Sequence, residues 1–294
     1  MQLKRKLADK LSSGWMIFSL TFFLLLPLAI GVGLVLKSTG LLQEHSLIDL
    51  LFSGNWAPSQ NKFGFWPFII SSLWVTILAI VIAAPVCLLS AIYLSQFAPD
   101  RMLKLMRPVV DILAGIPSVI YGVWGILVMV PFVSNLGATL NAETTGFSIL
   151  AASLVLAVMS IPYVLNMLLE VFRQVPVELQ EASLSLGATK WETIKQIVLR
   201  KGLSGIISAV GLGFSKALGE TIAVLMVVGN VVQIPKNAFA SGYTIPSLIA
   251  NNYGEMMSIP SYDSALMFGA LLLFAIILGF NVLFRYIIYK SEVQ

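Results

Sequence analysis

The chain has 294 residues, 58% hydrophobic and only 11% charged, with a mean hydropathy of +0.91. A soluble domain carries about 25% charged residues, so this composition excludes a soluble globular protein and points to a polytopic membrane protein. The net charge of +4 is no nucleic-acid signature, because the basic residues sit in short loops, where they report topology.

Lys4, Arg5, Lys6 and Lys10 precede an apolar stretch at 14–36. That stretch exceeds a signal-peptide core of ~7–15 residues and no A-x-A site follows it, so an uncleaved first span is expected. A spanning helix needs ~20 apolar residues. Six segments meet that length: 14–36, 68–94, 108–133, 147–169, 203–232 and 264–289. The fold class expected is all-α, with six transmembrane helices in one permease domain over 1–294.

The loops between these spans set the orientation. Fourteen Lys and Arg fall on one side, in the N-terminus, 95–107, 170–202 and the C-terminal end. Only Lys37, Lys62 and Lys236 fall on the other, and Lys216 lies inside a span. Both termini are therefore expected in the cytoplasm. The outer segment 37–67, with Trp56, Pro58, Trp66 and Pro67, reads as ordered, and His45 within it as an ordinary loop residue. The piece around 245–249 reads as a short apolar dip back toward the bilayer. Pro27, Pro85, Pro117 and Pro162 fall inside spans. Such residues bend membrane helices, around a pathway or for packing alone.

The polar segment 176–201 reads PVELQEASLSLGATKWETIKQIVLRK. Gly187 is expected to end a first helix, and Thr189 to cap a second with Glu192 in its first turn. An amphipathic helix pair at the interface, without a partner, is the bland reading. The spacing E-A-S-x-x-x-G followed by I-x-L resembles the EAA loop of bacterial ABC importer permeases. That loop docks into a groove on a cytoplasmic ATPase. The resemblance implies docking through Glu181, Ala182, Leu186 and Gly187. The motif usually ends in Ile-x-Leu-Pro. Here Arg200 follows Leu199, so the helix is expected to run on into the next span.

The fifth span carries two stripes at four-residue spacing. Gly205, Ala209, Gly213 and Ala217 make a small face for close helix approach. Ser204, Ser208, Leu212, Lys216 and Glu220 lie beside it. Lys216 and Glu220 are expected one turn apart and able to pair. An intramembrane charge normally faces a bundle interior or water. The two readings are a salt bridge that only orients the helix and a substrate path. Asp111 is expected to pair locally with Arg107. No G-x-x-x-x-G-K-[ST] occurs, and a single His excludes a Ser-His-Asp arrangement. Cys87 alone allows no intramolecular disulfide, and no Cys/His metal spacing occurs. No catalytic residue, metal or cofactor is expected on this chain.

AGIPSVIYG at 114–122, KALGETIAV at 216–224, NWAPSQNKFGFWPFI in the first outer loop and VVGN at 227–230 together resemble the PstC family of phosphate-importer permeases. The likeness runs from about 55 to 230. It implies the ABC importer type I permease fold in a bacterial or archaeal inner membrane. The implied partners are a PstA-like second permease, a PstB-like ATPase dimer that uses the ATP, a PstS-like external phosphate-binding protein, and membrane lipid. No nucleic acid is implied. The family's Arg-x₃-Glu pair falls on Lys216 and Glu220, which with Ser208 and Thr221 form the expected substrate pathway. Lys in place of Arg keeps the charge and loses the bidentate fork. A secondary transporter or anion channel with Lys216–Glu220 as its coupling pair is the alternative, and a scaffold without a pathway is a third.

Overall fold

Among the described residues, five helices are long and apolar enough to cross a bilayer, and a pair bent by 66° at Gly202 makes a sixth. The structure is a computed structural model that describes residues 2–254 and 260–292. In chain order the helices are α1 (Gln2–Glu44), α2 (Leu47–Phe52), α3 (Trp66–Ile92), α4 (Asp100–Ala114), α5 (Ser118–Trp124), α6 (Val130–Thr139) and α7 (Ile149–Arg173). They continue as α8 (Val177–Ser185), α9 (Lys190–Thr193), α10 (Leu199–Lys201), α11 (Leu203–Leu218), α12 (Ile222–Leu225), α13 (Ile245–Asn252) and α14 (Pro260–Glu292). Between α2 and α3 a two-stranded hairpin pairs β1 (Trp56–Ala57) with β2 (Lys62–Phe63).

α3 and α7 pack along their lengths and form the centre, with α11 against both and α14 against α11. Burial in lipid gives helices little hydrophobic reason to associate, so close packing must do it. A Cβ at Gly213 would sit 2.5 Å from Val164 Cγ2, and one at Gly205 2.6 Å from Val171 Cγ1. The small stripe of α11 therefore seats on α7, as its spacing predicts. Gly211 lies off that stripe and admits the ring of Phe284 on α14.

The third span departs from expectation. Helix cannot continue smoothly into Pro117, whose ring restricts Ile116. The backbone breaks at Gly115–Pro117, and the crossing starts at Ser118, through α5 and α6. Residues 108–114 belong instead to amphipathic α4, whose Val110 is buried against the cluster of Leu168, Phe172 and Ile194. Asp111 likewise does not pair with Arg107. Its carboxylate accepts a hydrogen bond from Asn166 Nδ2 at 2.9 Å, joining α4 to α7.

The outer segment is ordered around Trp56. Its ring meets Phe63, Phe65 and Phe68 edge-on at centroid distances of 5.0–5.6 Å. His45 stacks edge-on against Phe63 at the end of α1. α13 is the expected short apolar piece, with Ile245 and Leu248 fully buried. Ser72 of α3 accepts the backbone N–H of Ile245 at 2.9 Å and so holds its start.

Candidate functional site

The fifth span is not one helix to Val232. α11 stops at Leu218, and its sixteen residues rise about 24 Å, short of a ~30 Å hydrocarbon core. Gly219 closes it, Glu220 and Thr221 form the break, and four residues of α12 follow. The chain then turns back through Gly229 (φ +96°) and Asn230 (φ +54°). Asn230 Nδ2 donates to Leu225 O at 2.8 Å, and Gly242 N to Val228 O at 3.1 Å. Irregular backbone at membrane depth persists only where protein or water satisfies it. Val224, Val227 and Val228 are indeed buried, with α12 packed against α5, α7 and α13. Broken helices of this kind supply the binding positions of many transporters, because they free backbone groups beside the path.

Lys216 sits in the last turn of α11, where the helix dipole favours a cation. It does not pair with Glu220. Among the described residues the ion pair within 4.0 Å is Arg173–Glu170, at 3.4 Å on α7. The expected Lys216–Glu220 pair fails because Glu220 lies beyond the helix end, so four-residue spacing no longer sets its direction. Lys216 Nζ instead rests 4.3 Å from the ring centroid of Tyr163 on α7. A ring face attracts a cation without neutralising it. Lys216 lies on an exposed face of the bundle. Glu220 is half-buried and lines a small cavity with Ser72, Thr76 and Thr244. Thr221 donates its hydroxyl to Gly219 O at 3.2 Å and braces the break.

Ser208 lies two turns from Lys216 along α11, and its hydroxyl caps back onto Ser204 O at 2.8 Å. It lines a 410 Å³ crevice between α7 and α11 with Asn166, Glu170 and Gln174. Lys216 and Tyr163 bridge the same two helices. Sequence reasoning identified Lys216 and Ser208 but missed Tyr163 and Asn166, which meet them only through helix packing.

The segment 176–201 folds as a helix–turn–helix. Gly187 takes φ +85° and ends α8, with open space where a side chain would stand. Thr189 caps the second helix as expected, and Glu192 in its first turn reaches back to complete a capping box. The Glu192 carboxylate accepts the Thr189 N–H at 2.7 Å and the Thr189 hydroxyl at 2.8 Å. The backbone bond first, then the hydroxyl, hold this carboxyl below its usual range. Ser183 and Thr193 hydroxyls lie 3.0 Å apart and tie α8 to the second helix. Lys190 Nζ stands 4.7 Å from the ring centroid of Phe97, five residues past the end of α3. The helix runs past Leu199, but only to Lys201, and then turns by 66° at Gly202. Ile194 and Val198 are buried, whereas Glu181, Ala182 and Gly187 are exposed and Leu186 is 90% exposed. Leu184 and Trp191 add exposed apolar surface to the same loop.

The profile of the family described as "Binding-protein-dependent transport system inner membrane component" matches residues 91–291. A probable ABC transporter permease protein of Bacillus subtilis, YqgH, is 36% identical over 250 residues, covering 84% of this chain and 80% of that one. The phosphate transport system permease protein PstC of Xylella fastidiosa is 36% identical over 253 residues, covering 81% and 78%. Among solved structures, an inward-facing MetNI methionine ABC transporter chain superposes with a TM-score of 0.60 at 19% identity, over 81% of this chain and 99% of that one. The chain thus belongs to the binding-protein-dependent transport system inner-membrane components, as a transport subunit of the PstC permease type.

Proposed function

We propose that this chain forms one half of the transmembrane path of an ATP-driven importer of inorganic phosphate. The observation that carries the reading is Lys216, a cation at a helix break within a span, held by a ring and not by a carboxylate. An uncompensated charge at that depth is costly unless it faces water or an ion. A passing phosphate meets one cation, while Glu220 beyond the break limits how tightly it is held. Conduction needs this weak holding, since an anion bound tightly does not leave. Ser208 and Thr221 supply hydroxyls along the same helix and its break.

The other half of the path is a PstA-like permease. A PstB-like ATPase dimer consumes ATP, and a PstS-like protein delivers phosphate from outside. Both termini and the loop 176–201 face the cytoplasm. The loop docks on the ATPase through Glu181, Ala182, Leu186 and Gly187, with its buried face anchored on Phe97 and α7. The secondary-transporter alternative relied on a Lys216–Glu220 couple, which the broken helix does not form.

Co-purification tests the assembly. The tagged chain, expressed with its neighbours, should bring down a second permease and an ATPase whose hydrolysis rises with phosphate-loaded binding protein. A chain that moves phosphate alone, without nucleotide, would overturn the proposal.

A further inference from the structure

α14 carries a second intramembrane cation that the proposed path does not use. Arg285 lies inside the apolar span Ser261–Lys290, and among the described residues no carboxylate is within ion-pair distance of it. It lines a 210 Å³ cavity between α11 and α14. Asn281 and Ser208 add an amide and a hydroxyl to the lining, and Leu212, Phe284 and Ile288 add apolar walls. Gly211 and Phe284 both line it, and a Cβ at Gly211 would sit 2.7 Å from Phe284 Cγ, so a side chain there would collide with the cavity wall. Asn281 is fixed by two contacts: its Nδ2 donates to Ile277 O at 2.9 Å, and its Oδ1 accepts from Ser215 at 3.3 Å.

We infer that this cavity is a binding site for an anionic phospholipid. Lipid is the one ligand always present at such a groove. An arginine 5 residues before Lys290 in the sequence, about 7.5 Å along the helix, lies within snorkelling reach of the headgroup level. Basic pockets between transmembrane helices on the cytoplasmic side take lipid phosphates. A guanidinium offers two parallel N–H donors to such a phosphate. The Leu212–Phe284–Ile288 wall then accepts the upper part of an acyl chain. Asn281 keeps one Nδ2–H beyond its bond to Ile277 O for a phosphate oxygen, and Ser208 Oγ, its proton donated to Ser204 O, can accept from a headgroup hydroxyl. Assignment to the inner leaflet rests on the orientation proposed above, whereas retention of the lipid does not.

The test uses the assembled complex in mild detergent, incubated with equal amounts of phosphatidylglycerol and phosphatidylcholine and read by native mass spectrometry. Wild type should retain phosphatidylglycerol over phosphatidylcholine by roughly five-fold, because both present a phosphodiester to Arg285 but the choline cation of phosphatidylcholine offsets its charge. Arg285→Ala should lose that excess, and Arg285→Lys should keep part of it. Leu212→Trp fills the cavity with Arg285 intact and should also lose it, so the proposal stays testable if Arg285→Ala fails to assemble. Millimolar inorganic phosphate should leave the lipid bound. Equal retention of both lipids by wild type overturns the proposal, as does unchanged retention by both variants. Displacement by inorganic phosphate would make this a site for the free anion. Binding to the isolated chain but not to the complex would make the groove a permease interface.

Discussion

If the Tyr163 ring holds Lys216 in place, removing the ring should weaken transport without removing the charge. A cation over an aromatic face gains ~0.5–1 kcal/mol at a wet site. The population of Lys216 in its observed position should then fall about two- to five-fold in Tyr163→Leu, and phosphate uptake with it. Tyr163→Phe keeps the ring and should transport near the wild-type rate. Lys216→Ala removes the charge altogether. A unit charge about 4 Å from an anion is worth ~1 kcal/mol in water and ~4 kcal/mol at an effective dielectric of 20. Its loss should therefore exceed that of Tyr163→Leu. The assay is initial uptake of labelled phosphate per assembled complex in proteoliposomes, at several external concentrations. Loss of position should lower the maximal rate and leave binding-protein affinity unchanged. Normal uptake by Tyr163→Leu would refute the positioning role, and so would equal losses in Leu and Phe variants, which would implicate the hydroxyl instead.

Four further outcomes follow from the geometry. Because Lys216 and Glu220 do not pair, Lys216→Ala with Glu220→Ala should transport no better than Lys216→Ala alone; recovery in the double variant would restore the structural salt bridge. Gly213→Leu drives a side chain into Val164 and should cost about 1–3 kcal/mol or more of packing, seen as a lower unfolding temperature than for Leu212→Ala. Gly187→Val forces a β-branched residue to φ +85°, at about 1–2 kcal/mol, and should uncouple ATP hydrolysis from uptake. Gly187→Asn tolerates that backbone and should stay coupled. The capping box has a pH signature. The Glu192 carboxyl is lowered in the fold, so its contribution is complete above the ordinary carboxylate range and is lost as pH falls through the folded value. Hydrogen exchange at residues 189–192, corrected for intrinsic rates, should show protection at pH 6 that disappears in acid and is absent in Thr189→Val at either pH.

What was legible in the sequence was local. Gly187, Thr189 and Glu192 announce a turn and a cap because their partners lie three residues away. The small stripe of α11 announces a packed face because four-residue spacing survives as far as Leu218. The break at Gly219–Thr221 was masked by the apolar run that follows it, which has the hydropathy of a continuing helix. Gly219 and the Asn230–Gln233 polar pair were the available signals. Ile116–Pro117 likewise signalled that the third span starts late. The contacts of Tyr163 with Lys216 and of Asn166 with Asp111 join residues more than fifty positions apart. No spacing rule reaches them, and they follow only once α7 is seated against α11 and α4.

The central claim is that ATP-driven phosphate movement passes Lys216. Its most direct test is accumulation of labelled phosphate in proteoliposomes holding the complete complex and binding protein, with and without ATP, for wild type and Lys216→Ala at matched assembly. Wild type should accumulate phosphate only with ATP, and Lys216→Ala should lose most of that accumulation while binding-protein-stimulated ATP hydrolysis persists. Equal accumulation by both forms would contradict it.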